Sequence, residues 1–188
     1  MKSIKLASAV ALVVGLAAAG SAVADTGGGY ITFKGSVNAS TCTISGVGGV
    51  AGTGANFTVA LDPVDVAVLN TAGTANPKSF GVQVGSSSDP NCVIQNGATM
   101  SFEKTGYVDI LTGALSNGDQ NGAKDTYVQL LDSTGKALNL ALGDTVAVSA
   151  VAGNGPVLVP LQAQYYTRTN QATAGAVATG VQYTVNYN

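Results

Sequence analysis

GAVATGVQYTVNYN, residues 175–188, closes the chain on a near-complete two-residue alternation. Gly175, Val177, Thr179, Val181, Tyr183, Val185 and Tyr187 share one parity; Ala176, Ala178, Gly180, Gln182, Thr184 and Asn186 share the other. A period of two sends each set to its own face of a sheet, so one face is apolar and the other small or polar. The pattern predicts one long terminal β-strand. A terminal strand frays unless something pairs with it, and this one is too long and too apolar on one face to be a loose tail.

Working outward from that end, the rest of the chain also favours strands. Gly, Ala, Val, Thr and Ser dominate, and many of the 25 glycines fall between short apolar runs, a composition of strands and turns. Residues 25–37 open on three glycines and then alternate, with Gly29, Ile31, Phe33, Gly35 and Val37 on one parity. Phe57, Val59 and Leu61 alternate, as do Phe80, Val82 and Val84. Further strands are predicted around Cys42, at Met100 and Phe102, over 127–131, at Val146 and Val148, and from Val157 to Tyr165. Residues 46–54, 85–90, 117–122 and 132–135 read as turns or loops, and 61–77 as irregular with one short turn at 64–69. Pro156 and Pro160 suggest an edge or the start of a strand. About eight short strands without repeat or linker predict an all-β, immunoglobulin-like antiparallel sandwich in one domain.

The first 24 residues have the anatomy of a secretory leader. A basic start with Lys2 and Lys5 is followed by an apolar run over 6–20 and the small-x-small triplet Ala22-Val23-Ala24. The run is too short for the roughly 20 residues of a membrane span, so cleavage is expected between Ala24 and Asp25. No later segment is apolar enough to insert into a membrane. Once Lys2 and Lys5 leave with the leader, six basic side chains face ten acidic ones, without the clusters that nucleic acid or anionic membranes require. Cys42 and Cys92 are the two cysteines, and an even count in an exported chain predicts a disulfide between them. Closing a loop of that length contributes about 3 to 5 kcal/mol on the chain-entropy model.

Together these features resemble one family, the structural subunits (pilins) of chaperone–usher fimbriae of the type 1 kind. The resemblance rests on a glycine fourteenth from the end (Gly175), the alternation from Val177 to Val185 and the penultimate Tyr187. It rests equally on Gly29-Tyr30-Ile31-Thr32-Phe33-Lys34-Gly35-Ser36-Val37, five residues before Cys42, and on interior patterns around Phe80 and over 130–135. The Gly/Ser-rich stretch before Cys92 departs from the family, which more often runs straight from strand into cysteine.

The resemblance implies an incomplete sandwich, missing its last strand and completed by a donor strand. It divides the chain into a leader (1–24), a donor extension (25–37) and a pilin domain (38–188). Gly29, Ile31, Phe33, Gly35 and Val37 would be the donor residues, and Gly175, Val177, Val181, Tyr183, Val185 and Tyr187 would build the acceptor groove. The implied partners are a periplasmic chaperone, an outer-membrane usher and neighbouring subunits in a homopolymer at the cell surface. A minor or adaptor pilin is one alternative. A monomeric exported sandwich that binds a carbohydrate or small ligand is another.

Nothing in the chain suggests catalysis or a cofactor. With no histidine, none of its serines has the usual base to activate it. Asp62 and Asp65 form a close carboxylate pair, but Asp62-Pro63 is a turn signature and no third ligand stands nearby, so neither a metal nor acid–base work is expected. Tyr165 and Tyr166 are adjacent on a strand and should face opposite ways, which argues against a sugar-stacking pair.

Overall fold

Among the described residues, ten strands and one helix follow in the order β1 (Ile44–Val47), β2 (Val50–Ala51), β3 (Thr58–Val59), α1 (Val66–Ala72), β4 (Thr74–Val84), β5 (Gly97–Phe102), β6 (Leu115–Ser116), β7 (Tyr127–Asp132), β8 (Val146–Ser149), β9 (Val157–Tyr166) and β10 (Tyr183–Tyr187). The computed structural model describes residues 42–104, 106–149 and 155–187. The leader with its Ala24–Asp25 cleavage position, and the segment carrying Gly29, Ile31, Phe33, Gly35 and Val37, lie outside the described residues.

Every strand pairing is antiparallel. One sheet has the order β1-β4-β9-β7-β6, a second has β10-β5-β8, and β2 with β3 makes a separate two-stranded ribbon. Alternation decides what lies between the two large sheets. Val82 and Val84 of β4, Val159 and Leu161 of β9, and Leu130 of β7 are buried on one side. Ala98, Met100 and Phe102 of β5, Val146 of β8 and Val185 of β10 meet them from the other. The result is the immunoglobulin-like sandwich expected from the period-two runs.

Several local expectations are revised, each for a visible reason. The turn expected at 64–69 is replaced by a true helix, Val66–Ala72: Asp65 caps its N-terminus by accepting from the Ala67 amide at 2.7 Å, and Gly73, at φ 77°, ends it. Asp62, the other carboxylate of the pair, meets Lys78 at 3.2 Å across an exposed ion pair. Strand β4 starts six residues before Phe80, and Pro77 is accommodated by a register shift between Ala75 and Lys78, with Asn76 at φ 52°. Strand β9 lies inside its sheet, yet Pro160 faces only Gly81 of β4, because β7 pairs no further along than Leu161. The proline therefore sits where the β7 side of its strand is open.

The region expected as one loop over 46–54 instead holds the end of β1, where Gly46 leaves room for the ring of Phe57 packed against it. Cys42 and Cys92 form the disulfide across a separation of 50, but both lie outside the strands. The Gly/Ser-rich stretch before Cys92 has its own use. The Asp89 carboxylate accepts from the Thr43 amide at 3.0 Å and from the Thr43 hydroxyl, while Gly85 donates to the Thr43 carbonyl at 2.7 Å. The Thr43 hydroxyl bond is the main cause that holds the Asp89 carboxyl below its ordinary value.

Candidate functional site

Strands β1 and β10 each end their sheet, and the sandwich opens into an apolar groove of about 1110 Å³. Its floor is core: Met100 and Phe102 of β5, Leu115 of β6, and Val128 and Leu130 of β7. Ile44 and residues 55–61 form one wall. Residues 177–185 form the other.

The second wall is the alternating C-terminal stretch, and its construction differs from the one long strand that its pattern predicts. Only Tyr183–Tyr187 is strand, paired to β5 with Val185 opposite Met100. The preceding residues lie against the loop over 117–123. Gly118 donates to the Ala178 carbonyl at 2.7 Å and Ala123 to the Ala176 carbonyl at 2.9 Å. Asn117 brackets the same run with both ends of its amide, accepting from the Ala178 N–H at 2.9 Å and donating to the Ala176 carbonyl at 2.8 Å. A side chain thus replaces part of a sheet ladder. Gly175 takes φ 155°, and a methyl group there would run into the backbone at Ala123, so this glycine permits the close approach.

The two-residue alternation nevertheless survives through the irregular part. Val177, Thr179, Val181, Tyr183 and Tyr187 are half-buried and Val185 is buried, whereas the even positions between them are exposed. Of the residues expected to build the groove, Val177, Val181, Tyr183 and Val185 line it. Gly175 and Tyr187 do not. The Tyr187 hydroxyl instead accepts from the Cys42 amide at 3.0 Å, beside the disulfide.

Three features of the site escaped sequence reasoning. The first is the opposite wall: Phe57, Val59 and Leu61 alternate visibly, but alternation alone does not say which space they face. The second is Asn117, which composition marks only as a loop residue. The third is Thr179, whose buried hydroxyl oxygen has no hydrogen-bond partner among the described residues. Such an orphan costs about 1 to 3 kcal/mol.

Tyr165 lines the groove half-buried, while Tyr166 packs against Tyr127 with ring centroids 5.9 Å apart and planes tilted by 49°, so the two tyrosines do not share a face. Among the described residues no three His, Cys, Asp or Glu side chains gather as metal ligands, and no helix is long and apolar enough to cross a membrane.

Comparison with known proteins decides what kind of molecule carries this groove. The chain is 35% identical over 179 residues to the major fimbrial subunit SMF-1 of Stenotrophomonas maltophilia, spanning 91% of this chain and 99% of that one. The chain belongs to the fimbrial subunit family. It is also 32% identical to the F17 fimbrial protein of Escherichia coli (92% of this chain, 94% of that one) and 30% identical to the type-1 fimbrial protein A chain of the same species (100% and 98%). No family model matches the chain. A subunit of a chaperone–usher pilus shares the fold at a TM-score of 0.54, with 14% identity over 87% of this chain and 97% of that one. As a fimbrial subunit the chain is a structural protein, exported to the cell-surface fimbrium. The sandwich with its groove is the body of that subunit.

Proposed function

We propose that this fimbrial subunit polymerises by strand donation, with residues 25–37 of one copy lying in the groove of its neighbour. The observation that carries the reading is the row of half-buried apolar side chains from Val177 to Tyr183, facing an open groove beside the edge strand β10. An edge strand offers unpaired backbone groups, and a half-covered apolar floor offers side-chain pockets. Together they suit an added strand better than a compact ligand.

The donor sequence matches that need. Ile31, Phe33 and Val37 on one parity would each contribute about 1.5 to 3 kcal/mol on full burial. Gly35 suits a shallow place where two backbones approach. Backbone bonds along the edge add about 0.5 to 1.5 kcal/mol each. One end of the molecule donates and another region accepts, so the contact is heterologous; contacts of that kind propagate into filaments.

In the proposed sequence a periplasmic chaperone lends a strand to the groove until an outer-membrane usher hands the subunit to the growing fibre. There the donor segment of the next copy replaces the chaperone's strand. The role is that of a shaft subunit supporting cell adhesion, and it requires no catalytic group.

Replacing Ile31 or Phe33 with Asp tests the assignment, because an unpaired charge enters an apolar groove only at high cost. The expected result is a soluble chaperone–subunit complex that accumulates without being built into fibres. Fibres of normal length from either variant would contradict the proposal.

A further inference from the structure

The groove is bridged. Residues 55–57 belong to one wall and Tyr183 to the other, yet the two touch across the opening. The ring of Phe57 lies between Phe80 and Tyr183, with centroids 6.2 and 6.1 Å away. The Tyr183 hydroxyl donates to the Ala55 carbonyl at 2.7 Å. These contacts lie between the two walls, in the space that an added strand would have to enter.

The segment that makes them is built lightly. It belongs to the β2–β3 ribbon, which joins neither large sheet and has two residues in each strand. Residues 51–56 are exposed. The Gly46 amide ties its loop to β1 through the Gly54 carbonyl at 3.2 Å. A two-residue ladder at the surface is among the least stable parts of any fold. Gly46 is shaped to the closed position, because a methyl group there would collide with the Phe57 ring.

We propose that Phe57 and Tyr183 form a clasp across the groove that sets the rate at which an incoming strand is taken up. The proposal rests on the strand-donation reading and adds a kinetic gate to it. The closed clasp covers apolar floor that would otherwise face water. Opening it separates the Phe57–Tyr183 ring contact and the Tyr183–Ala55 hydrogen bond.

The test uses the full mature chain with Phe33→Asp, which disables its own donor segment, and a fluorescent peptide of residues 25–37 with the native sequence. Association is followed by anisotropy in this background and with Tyr183→Phe or Phe57→Ala added. Circular dichroism confirms that each variant is folded. Tyr183→Phe removes one hydroxyl and keeps the ring, so it reports even where Phe57→Ala does not fold. Each variant removes one of the two contacts and is expected to take up the peptide faster by about two- to twelvefold, the span set by one hydrogen bond or one ring contact. Association rates equal to or slower than the parent's, with only dissociation accelerated, would make Phe57 a plain wall residue and overturn the clasp. Failure of the parent and of every variant to bind the peptide would overturn the strand-donation reading itself.

Discussion

Asp125 shows how much one side chain organises in this fold. It sits at φ 46°, and its carboxylate accepts from the Thr167 hydroxyl at 2.6 Å, the Thr169 hydroxyl at 2.7 Å and the amides of Thr169 and Gln171 at 3.0 and 3.1 Å. Burial pushes its pKa up, but the hydrogen bonds from Thr167, Thr169 and Gln171 outweigh this and lower it to about 2. A carboxyl lowered on folding stabilises the native state above its unfolded value, and that contribution is lost as the pH falls from 3.8 toward about 2. Asp125→Asn keeps a residue that tolerates positive φ and removes the charge. The expected outcome at neutral pH is a loss of about 1 to 2 kcal/mol, discounted for partial exposure, which shrinks in acid as the native carboxyl protonates. Urea melts at pH 7 and pH 2.5 check this, and an equal loss at both would contradict it.

Thr179 gives the converse case at the same scale. Its buried hydroxyl is unsatisfied among the described residues, so the nearly isosteric Thr179→Val should leave the isolated subunit as stable as before or more stable by about 1 to 2 kcal/mol. A clear drop in melting temperature would mean the hydroxyl has a partner that this account lacks. Neither residue was legible in the sequence. Asp125 carries no local pattern and its partners lie more than 40 residues away, and the alternation that contains Thr179 says nothing of what its hydroxyl meets.

Among elements, the most legible were those whose side chains alternate between core and solvent. The strands of β4, β7 and β9 follow directly from residues such as Phe80, Val82, Val159 and Leu161, since a shift by one position would expose the whole set. What alternation could not give was the hydrogen-bonding partner. The run from Val177 to Val181 alternates as a strand does, yet it is held by Asn117 and a loop, because side-chain direction depends on local backbone extension and pairing depends on whatever lies alongside. Helix α1 was half-legible: the Asp65 cap and Gly73 stop are present in sequence, but Pro63 and the small residues around them resemble a turn.

The disulfide belongs to this scale as well, joining the approach to β1 with the loop after β4. Replacing Cys42 and Cys92 together with Ala should cost about 3 to 5 kcal/mol, close to the whole stability of a marginal domain. Denaturant titration measures it, and a loss below about 1 kcal/mol would show that Asp89, Gly85 and Tyr187 hold β1 in place without the bond.

For the whole molecule, both partners of the proposed contact are written at the chain's two ends. The C-terminal half of that information is visible as a groove wall, with Val177, Val181, Tyr183 and Val185 brought together. The opposite wall could not be foreseen, because Phe57 and Tyr183 are 126 positions apart and meet only once both sheets have formed. The fold explains why such a subunit would be poorly stable alone: its core is open along a row of half-covered apolar residues. Covering that row should raise stability steeply, since anything that binds only the native state adds to it by mass action.

That expectation supplies the most direct measurement. The mature subunit lacking residues 25–37 is melted alone and with a saturating peptide of that sequence, alongside the same peptide carrying Phe33→Asp. The account predicts a low melting temperature alone, a rise of tens of degrees with the native peptide and little change with the substituted one. A truncated subunit that melts at the same temperature in all three conditions would contradict it.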